Sequence, residues 1–145
     1  MLFRSKMKAE KDLSYAGAQL ARFCRCYIQA KVDMPIRPSE MGVLNVLCTA
    51  VGPHTPVSLA SALCVSRPMI AAHLNALVSR GLITRVPSPE DGRSFYILPS
   101  KRGRDLFESV SKFEAERLNA MMAKLGQKKF DDFIKLVAAV NQVLD

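Results

Sequence analysis

The side chains best suited to chemistry in this sequence are cations concentrated in one stretch. Between Ser66 and Arg104 there are seven lysines and arginines and two acids, a net charge of +5. Cations at this density attract polyanions, because each contact neutralises an anion and releases its counterions. The stretch therefore predicts a polyanion-binding face, with a solvated basic surface on a small helical domain as the alternative. The whole chain of 145 residues has the same sign, with a net charge of +8.

Groups suited to catalysis are sparse. The sequence has two histidines, His54 in a predicted turn and His73 in the middle of a predicted helix. Neither has a serine–histidine–aspartate set, a phosphate-binding glycine loop or a metal-spaced cluster beside it. Glu90 and Asp91 resemble a carboxylate pair, but the preferred interpretation is structural, with Asp91 holding a turn through local hydrogen bonds or an arginine. The sequence thus predicts no enzyme, no catalytic or metal-binding residue and no cofactor.

Two short helices must position the first of these cations. Thr55 is a good N-cap and Pro56 suits the first helical position, where its missing N–H costs nothing. After a short connection, Ser66 is the N-cap of a second helix. Arg67 is the alternative cap, because Pro68 disfavours the α conformation in the residue before it. The order predicts a helix, a tight turn and a second helix.

A hairpin follows the second helix. Gly81 suits the position just after a helix end, and the apolar residues of the helix recur at helical spacing. Residues 82–86 and 94–98 read as strands joined by a polar turn over residues 87–92. Helix, turn, helix and hairpin form the winged helix-turn-helix pattern, in which the second helix enters a DNA major groove. The core face of that helix is predicted to consist of Ile70, Leu74 and Leu77.

Further helices flank this unit. Residues 1–12 are expected to be a basic, loose arm, followed by helices over residues 13–31 and from Ser39 to about Val51. After the hairpin, Ser100 is the expected N-cap of a long helix through about Leu125, and a last helix covers residues 127–144. The last helix carries apolar residues on more than one face, which favours a partner. We expect the first and the last two helices to pair with a second copy of the chain, with ordinary intrachain packing as the alternative. The expected fold class is mainly α with a small β-hairpin wing. The chain is expected to divide into residues 1–36 (arm and first dimerisation helix), 37–100 (DNA-binding lobe) and 101–145 (C-terminal dimerisation helices).

Length and composition exclude some other classes. Nearly half of the residues are hydrophobic, 49%, so a folded protein is expected rather than a disordered one. No apolar run reaches the roughly 18 residues of a membrane-spanning helix, and the first twelve residues are too charged for a signal peptide. A cytoplasmic protein without a membrane partner is the expectation.

Several motifs of the stretch resemble the MarR family of regulators. The matching pieces are Gly81-Leu82-Ile83 after the second helix, Asp91-Gly92-Arg93 at the hairpin tip, and Pro99-Ser100-Lys101-Arg102-Gly103 at the start of the next helix. The Asp-x-Arg with the downstream glycine is the more specific part of the match. Two departures stand out: Ala72 and Ala76 lie where the family is often polar or basic, and Pro99 replaces the usual leucine.

The resemblance implies a homodimeric transcription regulator, most often a repressor, that binds a near-palindromic double-stranded DNA operator. Arg93 is expected in a minor groove, where narrow-groove potential favours guanidinium. Because the side chains of Ala72 and Ala76 cannot donate hydrogen bonds to bases, sequence specificity is expected to depend on the wing and on DNA shape. A small, often aromatic, effector would weaken binding in this family, but no ligand residue is assigned here. The alternative is a winged-helix protein-interaction module. The residues expected to face the major groove are Ser66, Arg67, Pro68, Met69 and Ala72. Phosphate contacts are expected from Arg85, Arg102 and the helix start at Thr55, and Asp91 is expected to be structural in the wing.

The four cysteines, Cys24, Cys26, Cys48 and Cys64, contain no Cys-x-x-Cys pair. The preferred interpretation is that they are reduced and mostly buried. Some members of the resembled family sense peroxides through a cysteine near the start of the first helix. Cys24 and Cys26 lie well along that helix, so redox sensing stands as the alternative.

Overall fold

The structure is a computed structural model that describes the backbone of residues 2–29 and 34–144, and the side chains of residues 12–29 and 34–144. The chain divides into two compact units, residues 1–38 and 39–145. The order of the secondary-structure elements confirms the predicted helix-turn-helix and hairpin. The elements are α1 (Leu2–Gln29), α2 (Pro38–Thr49), α3 (Pro56–Ala62), α4 (Arg67–Ser79), β1 (Ile83–Pro87), β2 (Phe95–Pro99), α5 (Lys101–Leu125) and α6 (Gln127–Leu144).

Helix α1 begins earlier than the sequence suggested. The loose arm predicted over residues 1–12 is wrong for residues 2–12, which are helical. This stretch has no proline or glycine, and lysine, alanine, glutamate and methionine all favour helix, so nothing in it prevents continuation of the helix. The predicted end at Lys31 lies outside the described residues. Within α1, the rings of Phe23 and Tyr27 stack one turn apart, with centroids separated by 5.6 Å.

The core of the second unit lies between α2, α3, α4 and the hairpin. The apolar stripe predicted for α4 is confirmed, since Ile70, Leu74 and Leu77 are all buried. Among the described residues, no single helix is long and apolar enough to cross a membrane; only α3 and α4 taken together reach that length and hydropathy, across a bend of 112°. Other fully buried side chains are those of Val43, Leu44, Leu59, Leu82, Ile83 and Ile97.

A partly buried ion pair joins α2 to the end of α4. Glu40 is only 4% exposed, and its Oε2 lies 3.2 Å from Nη1 of Arg80. A buried carboxylate requires such a partner, and a cation is favourable at the C-terminus of a helix. The sequence did not indicate that Glu40 is buried, because its partner is far away in the chain.

The ends of α4 and the hairpin follow local chemistry. Ser66, not Arg67, is the N-cap, and its hydroxyl accepts a bond from the Met69 N–H at 3.3 Å. At the other end Gly81 has φ +66°, and the Leu82 N–H donates to the Leu77 carbonyl at 2.9 Å, which is the Schellman arrangement. The two strands pair antiparallel one residue later than predicted. A bridge from His54 to Ile97 extends the pair, and the sequence did not indicate it.

The turn between α3 and α4 contains a strained residue. Cys64 has φ +51°, the one positive φ at a non-glycine residue among those described. This left-handed conformation costs roughly 1 kcal/mol for a residue with a Cβ.

We therefore expect Cys64→Gly to raise the free energy of unfolding by about 1 kcal/mol, because glycine adopts this φ without strain. Urea denaturation at one fixed protein concentration measures the change. Cys64→Ala is the matched control, since it removes the thiol but keeps the Cβ. An alanine variant as stable as the glycine variant would locate the effect in the thiol instead.

The junction between the hairpin and α5 is tight. Ser100 is the N-cap of α5, as predicted, and its hydroxyl accepts from the Gly103 N–H at 3.0 Å. The same hydroxyl donates to the Gly81 carbonyl at 2.7 Å, so one side chain connects two helix ends. A Cβ on Gly103 would lie 2.0 Å from the Leu82 carbonyl oxygen. This close approach gives a physical reason for the glycine in the motif.

Helices α5 and α6 begin and end where the sequence indicated, with Gly126 separating them. No residue of α6 is buried within the chain. Its exposed apolar side chains include Ile134, Leu136, Val137, Val140, Val143 and Leu144. An apolar face of this size is unusual on a monomer surface.

Candidate nucleic-acid interface

The outer face of α4 is open to solvent. Each of the residues predicted to face a major groove is exposed: Ser66, Arg67, Pro68, Met69 and Ala72. They occupy the first turns of α4, on the side away from its buried stripe. The Ser66 hydroxyl already caps the helix, so Arg67 is the group on this face with the most donors for DNA.

Thr55 is placed differently from these residues. Its hydroxyl accepts from the Ser58 N–H at 3.2 Å, and the Ser58 hydroxyl accepts from the Thr55 N–H at 2.9 Å. This reciprocal capping box engages both groups. Thr55 is half-buried, and its side chain mainly stabilises the start of α3. The predicted phosphate contact stays a prediction.

The wing tip is held by a set of short bonds around Asp91. One carboxylate oxygen accepts from the Arg93 N–H at 2.9 Å, and the Asp91 carbonyl accepts from the Ser94 N–H at 2.9 Å. The buried hydroxyl of Ser88 accepts from the N–H groups of Glu90 and Asp91 at 3.3 and 3.4 Å. The bond from Asp91 thus goes to the main chain of Arg93, which leaves the exposed guanidinium to project from the tip. Sequence reasoning missed Ser88, although serine is typical of such turns.

Arg85 lies between the hairpin and α4. Its Nη2 donates to Oδ1 of Asn75 at 2.6 Å, and its Cζ lies 5.2 Å from the centroid of the Phe95 ring. Arg85 was expected to contact phosphate, and Asn75 was not among the predicted site residues. The available signal was the strand alternation, which places Arg85 on the same face of the hairpin as buried Ile83.

The start of α5 supplies further cations. Arg102 is exposed in the first turn. Lys101 pairs with Asp105 at 2.8 Å, and Nη1 of Arg104 donates to the Pro99 carbonyl at 2.7 Å. The phosphate contact expected of Arg102 stays a prediction.

The cysteines differ from the prediction of mostly buried thiols. Cys24, Cys26 and Cys64 are exposed and Cys48 is half-buried. Cys64 was expected on an apolar face, but its turn conformation places it at the surface. Burial raises the pKa of the Cys48 thiol, while the nearby Arg104 guanidinium lowers it by a smaller amount.

We expect iodoacetamide near neutral pH to alkylate Cys48 more slowly than the three exposed cysteines, because a raised pKa leaves less reactive thiolate. Peptide mass spectrometry over a time course measures the order. Alkylation of Cys48 first would contradict the prediction. Redox sensing stays a hypothesis, and mild peroxide followed by the same mass spectrometry tests it: no oxidised cysteine would end it.

Comparisons with known proteins agree with this geometry. The model of the MarR family matches residues 46–95, which cover the end of α2, α3, α4 and most of the hairpin. An HTH-type transcriptional regulator of Mycobacterium bovis is 28% identical over 88% of this chain and 86% of its own length.

Solved structures give the same result. The chain is similar to the transcriptional repressor CouR bound to a 23-mer DNA duplex, with 27% identity, a TM-score of 0.75, and coverage of 88% of this chain and 89% of that one. The regulator PcaV of Streptomyces coelicolor, solved with its natural ligand, shares the fold, with a TM-score of 0.76, 20% identity, and coverage of 89% and 93%. The family match, the shared fold and the basic wing beside an open helix together show that the winged helix-turn-helix of this chain, over residues 46–95, is similar to that of the MarR family of DNA-binding transcription regulators.

Proposed function

We propose that this regulator acts as a homodimer on a near-palindromic operator, as a repressor. The observation that carries the proposal is the pairing of an exposed α4 face with a wing tip that projects Arg93. A helix and a wing side by side suit a major groove and the neighbouring minor groove. Similarity to a repressor solved on a DNA duplex supports the repressor role.

Base contacts and phosphate contacts divide between the elements. Arg67 can bond guanine in the major groove, whereas Met69 and Ala72 can only touch thymine methyl groups. Arg102 and the start of α3 at Thr55 provide phosphate contacts, which set position without reading sequence. Because so few donors line α4, shape readout through Arg93 carries a large share of the specificity.

We expect Arg93→Ala to weaken binding to all duplexes at low salt, by about tenfold, because a guanidinium is lost from each wing. The loss should be greatest on the selected operator, because Arg93 also reads the shape of its minor groove. The slope of log affinity against log salt should become shallower, by about one for each lost phosphate-like contact. Fluorescence anisotropy at several salt concentrations measures both. Lys112→Ala removes an exposed cation from the middle of α5 and should change little. Unchanged affinity of Arg93→Ala at low salt would refute the role.

The exposed apolar surface of α6 supports the proposal that the chain pairs with a second copy of itself. Exposed apolar side chains also occur on α5 and on α1, including Phe113, Leu125, Leu13 and Leu20. Burial of such surface between two copies is favourable. A two-fold dimer would present two α4 helices to half-sites about one helical turn apart. Under this proposal residues 1–36 and 101–145 form the dimer part and residues 37–100 the DNA-binding lobe.

A small aromatic effector is the remaining part of the proposal. Release of DNA requires only that the ligand prefer a dimer whose two lobes have a non-binding spacing. The ligand-bound structure of PcaV, which shares this fold, supports the idea. Thermal shifts with a panel of small aromatic acids test it. We expect at least one compound that both raises the melting temperature and lowers the affinity for the operator. A compound that raises the melting temperature but leaves the operator affinity unchanged is not an effector.

The deciding experiment is selection from random duplexes with the purified full chain at several salt concentrations. We expect enrichment of a near-palindrome and an affinity that falls steeply with salt. Sequence-blind binding that disappears near physiological salt would instead favour the protein-interaction module, for which exposed Met69 and Ala72 are the best argument.

A further inference from the structure

Three elements meet at Arg85. The guanidinium, on β1, bonds to the Asn75 amide oxygen on α4 at 2.6 Å and lies over the Phe95 ring on β2, 5.2 Å from its centroid. The hydrogen bond is short for an N–H···O pair. Because a guanidinium can only donate, the amide oxygen of Asn75 must face it, which fixes the amide orientation.

The direction of Arg85 follows from the sheet. Alternate residues of a strand share a face, so Arg85 lies on the side of Ile83, which is buried. The register pairs Arg85 with Ile97 and places Phe95 diagonally opposite. Arg85 thus continues the core face of the hairpin just past the edge of the core. There its side chain extends toward α4 instead of outward from the wing.

We propose that Asn75 is a positioning residue for DNA binding, which fixes Arg85 against Phe95 and so holds the wing and α4 at one mutual spacing. The inference rests on the proposed function, because the spacing matters only if both elements bind DNA at once. The helix α4 and the wing must then enter two neighbouring grooves at the same time. A spacing that is already set in the free protein lowers the entropy cost of ordering these elements on binding. Asn75 and Arg85 are both exposed in the free protein, so their bond contributes little to folding and gains strength when DNA covers it.

A double-mutant cycle tests the link. Asn75→Ala and Arg85→Ala should each weaken binding to a selected duplex by roughly tenfold. The double variant should be no more than about threefold weaker than either single variant, because the pair acts as one unit. Asn75→Ala should also leave the salt slope unchanged, since no charge is removed. Losses that multiply to about 100-fold would mean that Asn75 and Arg85 contact DNA independently, and the positioning role would be wrong.

A second measurement does not depend on DNA. In the free full-length chain, NMR of the Arg85 Nη groups reports how freely the guanidinium rotates. Rotation should be restricted in the wild type and in Asn75→Asp, which keeps an acceptor, and fast in Asn75→Ala. Asn45→Ala is the matched control: Asn45 on α2 also accepts a side-chain bond, from Thr49, and its loss should alter neither Arg85 rotation nor DNA affinity.

The two measurements separate the possible failures. A wild-type chain that selects no duplex would refute the proposed function, while restricted rotation would still establish the Asn75–Arg85 link. A chain that binds its operator but shows free rotation of Arg85 in the wild type would overturn the positioning role alone.

Discussion

Gly103→Ala is expected to destabilise the protein by about 3 kcal/mol or more, because the site has no room for a methyl group. The new Cβ would lie 2.0 Å from the Leu82 carbonyl oxygen and 3.1 Å from its carbon. Both are main-chain atoms, so relief requires α5 to move from the end of the hairpin. The gain of about 1 kcal/mol from placing alanine instead of glycine in a helix is too small to offset this.

Urea denaturation at equal protein concentration measures the loss, with the midpoint compared at constant slope. Gly42→Ala is the matched control. It adds the same methyl group within a helix of the same unit, but the nearest atom is the movable Cδ2 of Leu63 at 3.3 Å. We expect Gly42→Ala to change stability by less than about 1 kcal/mol. Equal stability of the Gly103→Ala protein and the wild type would contradict the close approach.

Val140→Asp is expected to convert the proposed dimer to monomers and to weaken binding to the selected operator by about 100-fold or more. Val140 is 55% exposed in the single chain, so the carboxylate leaves the monomer core intact. In the proposed dimer it would be buried without a cation to pair with, which is strongly unfavourable. A lone lobe then binds one half-site and loses the effective concentration that a linked second lobe provides, a factor of about 10² to 10⁴.

Light scattering gives the mass, and anisotropy on the selected operator gives the affinity. Gln142→Asp adds the same carboxylate to the opposite side of α6, where it is exposed, and should leave both values unchanged. A wild-type chain that is a monomer at every concentration would refute the dimer. A Val140→Asp protein that remains a dimer would show that α6 pairs through another face.

Local chemistry explains what could be predicted. Thr55, Ser66 and Ser100 each cap a helix through a residue three positions away, so the signal lies within a few letters of sequence. Gly81 and Gly126 mark helix ends at positive φ for the same reason. The one large error in element bounds, the start of α1, came from interpreting charged residues as disorder when their helix propensity is high.

Apart from the local bonds of Ser88 in the wing turn, the contacts that the sequence did not indicate are long-range. Glu40 pairs with Arg80, His54 bridges to Ile97, and Gly103 approaches Leu82. Each contact joins segments that lie far apart in the chain, and no spacing rule connects them. The exposure of the cysteines was missed for a related reason, because an apolar pattern does not indicate which face of a helix another element will cover.

The sequence by itself determined the order of elements, the caps, the basic wing and the resemblance to the MarR family, because these depend on residue type and short spacing. Only the tertiary structure decided that Arg85 turns toward Asn75. It also decided that Gly103 must lack a side chain. These properties depend on the direction in which packed elements present their side chains, and packing is set by the whole core at once.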